Sequence, residues 1–179
     1  MKKSALTLLG VFSCLASAQP EDPALPADAT VEVAFSPKGQ GQALIIKAIQ
    51  SATVSIRVAA YSFTSKPIAE ALRDAHQHGI DVRIVADSKG NTNQYTAVTY
   101  LANQGVPVRL NDKYAIMHNK YIIIDGRHVE SGSFNYTASA QNKNAENVLL
   151  LWNVPELAEK YTRNWEKLWN EGVDVGKRY

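Results

Sequence analysis

The residues able to do chemistry are concentrated between Met117 and Asn135, in the run MHNKYIIIDGRHVESGSFN. His118 and Lys120 are two positions apart, so on a β-strand both side chains leave the same face. Tyr121–Ile124 is uncharged, aromatic and β-branched, which predicts a buried central strand. Asp125-Gly126 suits the positive φ angles of a two-residue hairpin turn. The chain would then return through Arg127–Ser131 and carry Ser133 and Asn135 back towards His118. An imidazole, an ammonium, a hydroxyl and a carboxamide thus meet at one sheet edge. Three of them donate hydrogen bonds to an anion and the imidazole can attack one. The chemistry indicated is that of a phosphate site.

The elements that position these groups are legible from periodicity. Val31–Phe35 alternates as a strand, Gly41–Ala52 has a helical stripe of Leu44, Ile45, Ala48 and Ile49, and Val54–Ser62 is a strand. Ser65 and Pro67 open a helix whose stripe is Ile68, Leu72 and Ala75, with Gly79 to end it. Strand Asp81–Ala86, helix Gln94–Asn103 and strand Val106–Leu110 follow. Short connections in this β-α-β-α-β run imply parallel strands and right-handed crossovers. Asn147–Trp152 is a further strand, and Pro155–Trp169 closes the chain as an amphipathic helix. The expected fold class is α/β: a single mixed, largely parallel sheet with helices on both faces.

The full spacing is His-x-Lys, four residues, Asp, six residues, Gly-Ser-x-Asn, on His118, Lys120, Asp125, Gly132, Ser133 and Asn135. It resembles the HKD signature of the phospholipase D superfamily. The single motif, small size and leader resemble the bacterial periplasmic endonucleases of that superfamily. The resemblance implies a phospholipase D/nuclease-like fold and His118 as a nucleophile forming a phosphohistidine intermediate. Lys120 and Asn135 would hold the non-bridging phosphate oxygens, and Ser133 would support them. Glu146 would take the role of the carboxylate that fixes the imidazole tautomer. The Lys120 ammonium supplies the charge that other nucleases draw from a cation, so neither a metal nor another cofactor is implied. A second group must protonate the leaving oxygen, and the resemblance implies that this is a second HKD histidine. With one motif present, the resemblance implies a homodimer that brings His118 of both chains to one shared site.

Plainer readings stand beside these roles. Asp125 is already explained by the turn, or by a supporting ion pair; Glu146 also fits a solvated loop carboxylate, and Ser133 a turn cap. His76 and His78 fall at a helix end on different faces, and His128 lacks a lysine two residues on; all three read as structural. Arg57, Arg83, Arg109, Lys113 and Arg127 are candidates for a phosphate track, or ordinary surface charges. Three functions follow. The foremost is a metal-independent phosphodiesterase cutting DNA, and RNA as well, without sequence preference. The others are a phospholipase D-type lipid phosphodiesterase and a non-catalytic nucleic-acid-binding protein. No exposed amphipathic anchor speaks for a membrane surface.

Residues 1–18 read as a secretory signal peptide, with Lys2 and Lys3, an apolar Ala5–Leu15 and a small-residue cleavage site at Ala16-Ser17-Ala18. Residues 19–30 are a Pro- and Ala-rich exposed linker, and residues 31–179 a single domain. The expected location is periplasmic or secreted. Cleavage would remove the only cysteine, Cys14, and with it any thiol chemistry. It would also take Lys2 and Lys3 from the 19 basic residues, leaving 17 against 17 acidic ones. Polyanion binding would then depend on a local patch rather than a global field.

Overall fold

The computed structural model describes residues 25–91 and 96–177. The expected leader and the first part of the expected linker lie outside the described residues. Eight strands form one sheet: β1 (Thr30–Ser36), β2 (Ser55–Ala60), β3 (Asp81–Asp87), β4 (Val108–Asn111), β5 (Lys120–Ile124), β6 (His128–Gly132), β7 (Glu146–Trp152) and β8 (Val173–Asp174). Their order is β1-β7-β6-β5-β2-β3-β4-β8. The helices are α1 (Gly41–Gln50), α2 (Lys66–Gln77), α3 (Ala97–Asn103), α4 (Ala138–Asn142) and α5 (Pro155–Glu171).

The sheet is mixed, as expected, but parallel pairing is confined to β2, β3 and β4. These are the strands joined by α2 and α3. Every other pairing is antiparallel. The correction has a simple cause: a helical crossover enforces parallel neighbours, whereas the tight Asp125-Gly126 turn makes β5 and β6 antiparallel. β5 then lies antiparallel to β2, and β1 closes the far edge against β7.

Helices cover both faces. Ile45 and Ile49 of α1, Ile68 and Leu72 of α2 and Leu101 of α3 pack on Ile56, Val58, Ile84, Ile122 and Ile124. On the other face, Ala158, Trp165 and Leu168 of α5 meet Ala59, Val85, Tyr121, Ile123 and Val129. All five residues of β5 are buried. Truncating any of its isoleucines to alanine should cost about 2–5 kcal/mol, so the strand that carries Lys120 is rigid.

One buried acid stands out in this core. Glu130, 1 % exposed, has its carboxylate on the Tyr136 hydroxyl at 2.8 Å. Burial pushes its pKa up to about 8, against the opposing pull of that hydrogen bond. The folded protein therefore holds a proton that the unfolded chain has released above its ordinary value of 4.5. Stability should fall as pH rises from about 4.5 to about 8, and stay level beyond. Glu130→Gln keeps an acceptor for Tyr136 and should flatten that part of the curve. Parallel Tm–pH curves for the two proteins would refute this account.

Candidate active site

The register gathers the site at one edge of the sheet. Ala60, the last residue of β2, lies opposite Lys120, the first of β5. Asp87 ends the neighbouring parallel strand β3, while β6 ends and β7 begins at the same edge, with Gly132 opposite Val148. The C-terminal edge of parallel strands is where α/β sheets open a crevice. Gly132 permits the close approach of β6 and β7 there, since a Cβ on it would stand 2.2 Å from the Asn147 carbonyl oxygen.

His118 lies on the exposed segment just before β5 rather than in the strand. Neither of its ring nitrogens is hydrogen-bonded among the described residues. Its imidazole instead leans on the Tyr61 ring, with centroids 4.6 Å apart and planes tilted by 58°. Lys120 is only 8 % exposed. Its Nζ donates to the His118 carbonyl oxygen at 2.7 Å and lies 5.3 Å from the centre of the Tyr61 ring. Burial lowers its pKa, and the nearby charge of Glu146 partly offsets that. Among the described residues it has no salt-bridge partner, so a desolvated cation faces the site with only the unbonded charge of Glu146 acting on it.

Ser133 and Glu146 meet directly. The Ser133 hydroxyl donates to Glu146 Oε2 at 2.6 Å and accepts from the Asn147 amide at 3.1 Å. Asn144 Nδ2 donates to Glu146 Oε1 at 3.0 Å. The carboxylate expected on the imidazole is thus engaged with Ser133 and Asn144; it shares the site with Lys120 but makes no hydrogen bond to His118. Asn135 presents the opposite case. Its Oδ1 is buried without a partner, a state that costs about 1–3 kcal/mol.

Asp125 does not belong with these groups. Both Asp125 (φ 52°) and Gly126 (φ 63°) adopt the left-handed conformation that the hairpin requires. The Asp125 carboxylate accepts from the amides of Thr53, Val54 and Ser55 and from the Thr53 hydroxyl, at 2.7–2.9 Å. It stands at the far end of β5, about 15 Å from Lys120 at the rise of an extended strand. Its partners are amides and a hydroxyl, so it is neither a catalytic group nor half of an ion pair. Partial burial pushes this carboxyl up, but the hydrogen bonds outweigh it and hold the pKa below the ordinary value. Its stabilisation is present above the unfolded-chain pKa and is lost as pH falls through the folded one. Asp125→Asn should lower Tm by about 2–6 °C, the range for a partly solvated hydrogen-bonded carboxylate in a domain of this size. Turnover should not change; a loss of kcat without a loss of Tm would return Asp125 to the site.

Each of the candidate basic residues already has a polar partner. Arg57 and Arg83 share Asp81, Arg109 pairs with Asp174, Lys113 with Asp112, and Arg127 bonds Asn153. His78 Nδ1 lies 2.6 Å from the Asp74 carbonyl oxygen. His128 Nδ1 accepts from the Asn153 amide and the ring packs edge-on against Trp152. Both are structural, as expected. Tyr61 was not anticipated from the spacing; its position directly after a parallel strand is the signal that could have found it.

Comparison with known proteins agrees with this geometry. Residues 45–169 match the family model described as "Cardiolipin synthase, PLD-like domain". The chain is similar to the phospholipase D family member Nuc from Salmonella typhimurium, at 44 % identity and a TM-score of 0.81, covering 83 % of this chain and 99 % of that one. NucT from Helicobacter pylori is 27 % identical with a TM-score of 0.73, covering 83 % and 100 %. A protein named phospholipase D from Rickettsia prowazekii is 36 % identical over 135 residues, 75 % of this chain; the match spans 65 % of that relative's length. On the HKD spacing, the sheet edge that assembles it and these matches, the chain belongs to the phospholipase D superfamily.

Proposed function

We propose that this domain is a metal-independent endonuclease that cleaves DNA, and RNA as well, through a phosphohistidine at a site shared by two subunits. The observation that carries this reading is the Lys120 ammonium. It is nearly buried, it has no carboxylate partner among the described residues, and it is fixed to the main chain of His118. The anion it lacks is the one a phosphodiester supplies. Nothing at the site reads a base edge, and recognition through the backbone alone is indifferent to sequence. The near-complete coverage of Nuc and NucT favours this branch over longer lipid-acting enzymes. We place the protein in the periplasm, delivered by the leader at residues 1–18.

A lipid substrate is the second reading, favoured by the name phospholipase D of the Rickettsia relative. The test is parallel: supercoiled plasmid and phosphatidylcholine vesicles are each incubated with residues 19–179 in excess EDTA. Nicked and linear plasmid with no headgroup release is expected. Choline release without nicking would replace the nuclease by a lipid phosphodiesterase, and activity restored only by added divalent cation would end the metal-independent reading. Sedimentation of the same sample as a monomer would remove the shared site.

A further inference from the structure

Two buried polar side chains near the site are not used by any step above. Asp87, 1 % exposed, receives the Met117 amide on Oδ2 at 2.7 Å and the Gly90 amide on Oδ1 at 2.6 Å. Asn91, 4 % exposed, donates to the carbonyl oxygens of Tyr61 (2.6 Å) and Asp87 (2.9 Å) and accepts from the Phe63 amide at 3.1 Å. Gly90 belongs to the same joint, because a Cβ there would come within 2.8 Å of the Tyr61 carbonyl oxygen. Three of these bonds end on segments that lead to the site: Met117 precedes His118, and Tyr61–Phe63 carries the ring against which His118 rests; the other two brace residues 87–91 themselves. A buried carboxyl group needs hydrogen-bond partners, and here each oxygen of Asp87 has a backbone amide, one from each of two loops.

We propose that Tyr61, held by the Asp87–Asn91 joint, is a positioning residue that sets the plane of the His118 ring and the place of the Lys120 ammonium. The ring is the wall that both side chains share. An exposed imidazole with no hydrogen bond to either nitrogen would otherwise turn about its side-chain torsions. In-line attack on phosphorus requires one ring direction, and small misplacements of reacting groups are expensive. The aromatic face also offsets the desolvation of the ammonium without occupying its N–H groups, which a carboxylate would do. The role lies in the face of the ring, not in its hydroxyl. This inference rests on the proposed phosphodiesterase reading.

The test compares Tyr61→Phe and Tyr61→Leu with the parent, using bis(p-nitrophenyl) phosphate so that polymer binding does not enter. Tyr61→Phe should keep kcat within about twofold. Tyr61→Leu should lose about 10- to 100-fold in kcat with little change in KM. The basic limb of its pH profile should move to lower pH, because the ammonium, on which the charge of Glu146 acts, loses its aromatic neighbour. An equal loss in both variants would assign the role to the hydroxyl and overturn the proposal, as would a loss confined to KM. A second measurement does not depend on turnover: the His118 ring protons should carry a ring-current shift in the NMR spectra of the parent and Tyr61→Phe that Tyr61→Leu lacks. An unshifted parent His118 defeats the positioning role. A shifted His118 in a parent protein without hydrolytic activity defeats the phosphodiesterase reading and leaves the geometry standing.

Discussion

His118→Ala is expected to lower kcat for any phosphodiester by about 10⁴-fold or more, the scale on which loss of a nucleophile is felt. In the proposed first step a lone pair on the His118 ring forms an N–P bond. The P–O bond to the leaving group breaks, and that oxygen takes a proton from His118 of the partner subunit. Water then attacks phosphorus, returns a proton to the second imidazole and releases the first. Lys120 and the Asn135 amide bear the charge that accumulates on the non-bridging oxygens in both steps. The substitution should leave the fold untouched, because His118 is exposed and its ring makes no hydrogen bond among the described residues; Tm should not move measurably. Two readings separate this from indirect damage. Denaturing the parent during turnover of a phosphorus-labelled substrate should leave label on the protein, in an acid-labile linkage, and His118→Ala should retain none. Persistent cleavage by the purified variant would remove the phosphohistidine.

The parts of the molecule that could be read from the sequence are those fixed by local pattern. The Asp125-Gly126 turn is local: two residues that tolerate positive φ, followed by a strand that must pair back on the one before it. The β2-α2-β3-α3-β4 run is local in the same sense, since each short crossover dictates a parallel neighbour. Strand order is a different kind of fact. Whether β5 meets β2, or β1 meets β7, is decided by which apolar faces are left to cover, and no window of sequence contains both partners. This is why local pattern overstates the parallel share of the sheet. β8, two residues long, and α4, five residues long, are too short to display a period. At the site, the spacing located His118, Lys120, Ser133 and Asn135 because the hairpin brings them together. It placed Asp125 in the same set only because a pattern records position in the chain and not the end of the strand. Glu146 was found, but its bond to Ser133 rather than to the imidazole depends on side-chain geometry that spacing does not encode. Tyr61 lies some 57 residues before His118 and reaches it only through the sheet register.

Lys120→Met offers the sharpest contrast between function and stability. Methionine retains much of the apolar stem and removes the ammonium, so loss of this fixed cation should lower kcat by about 10³-fold or more. Arginine should not rescue it, because a planar fork does not reproduce a point charge on a side chain that is only 8 % exposed. The effect on stability should have the opposite sign. Burial depresses the Lys120 pKa, and Glu146 recovers only part of that loss. In the window between the folded value and the ordinary 10.5, the unfolded chain holds more protons than the folded one. Stability contributed by this group therefore rises with pH across that window, and below it the folded protein carries the full penalty of a desolvated cation. Removing the charge should relieve the penalty, so Lys120→Met should melt at or above the parental Tm at pH 7 while losing nearly all turnover. A residue retained for packing would behave in reverse, with a lower Tm and much of the activity intact, and that result would end its assignment to the site. A cation that the fold would be better without is retained for what it meets there, and the chemistry around it requires that to be an anion.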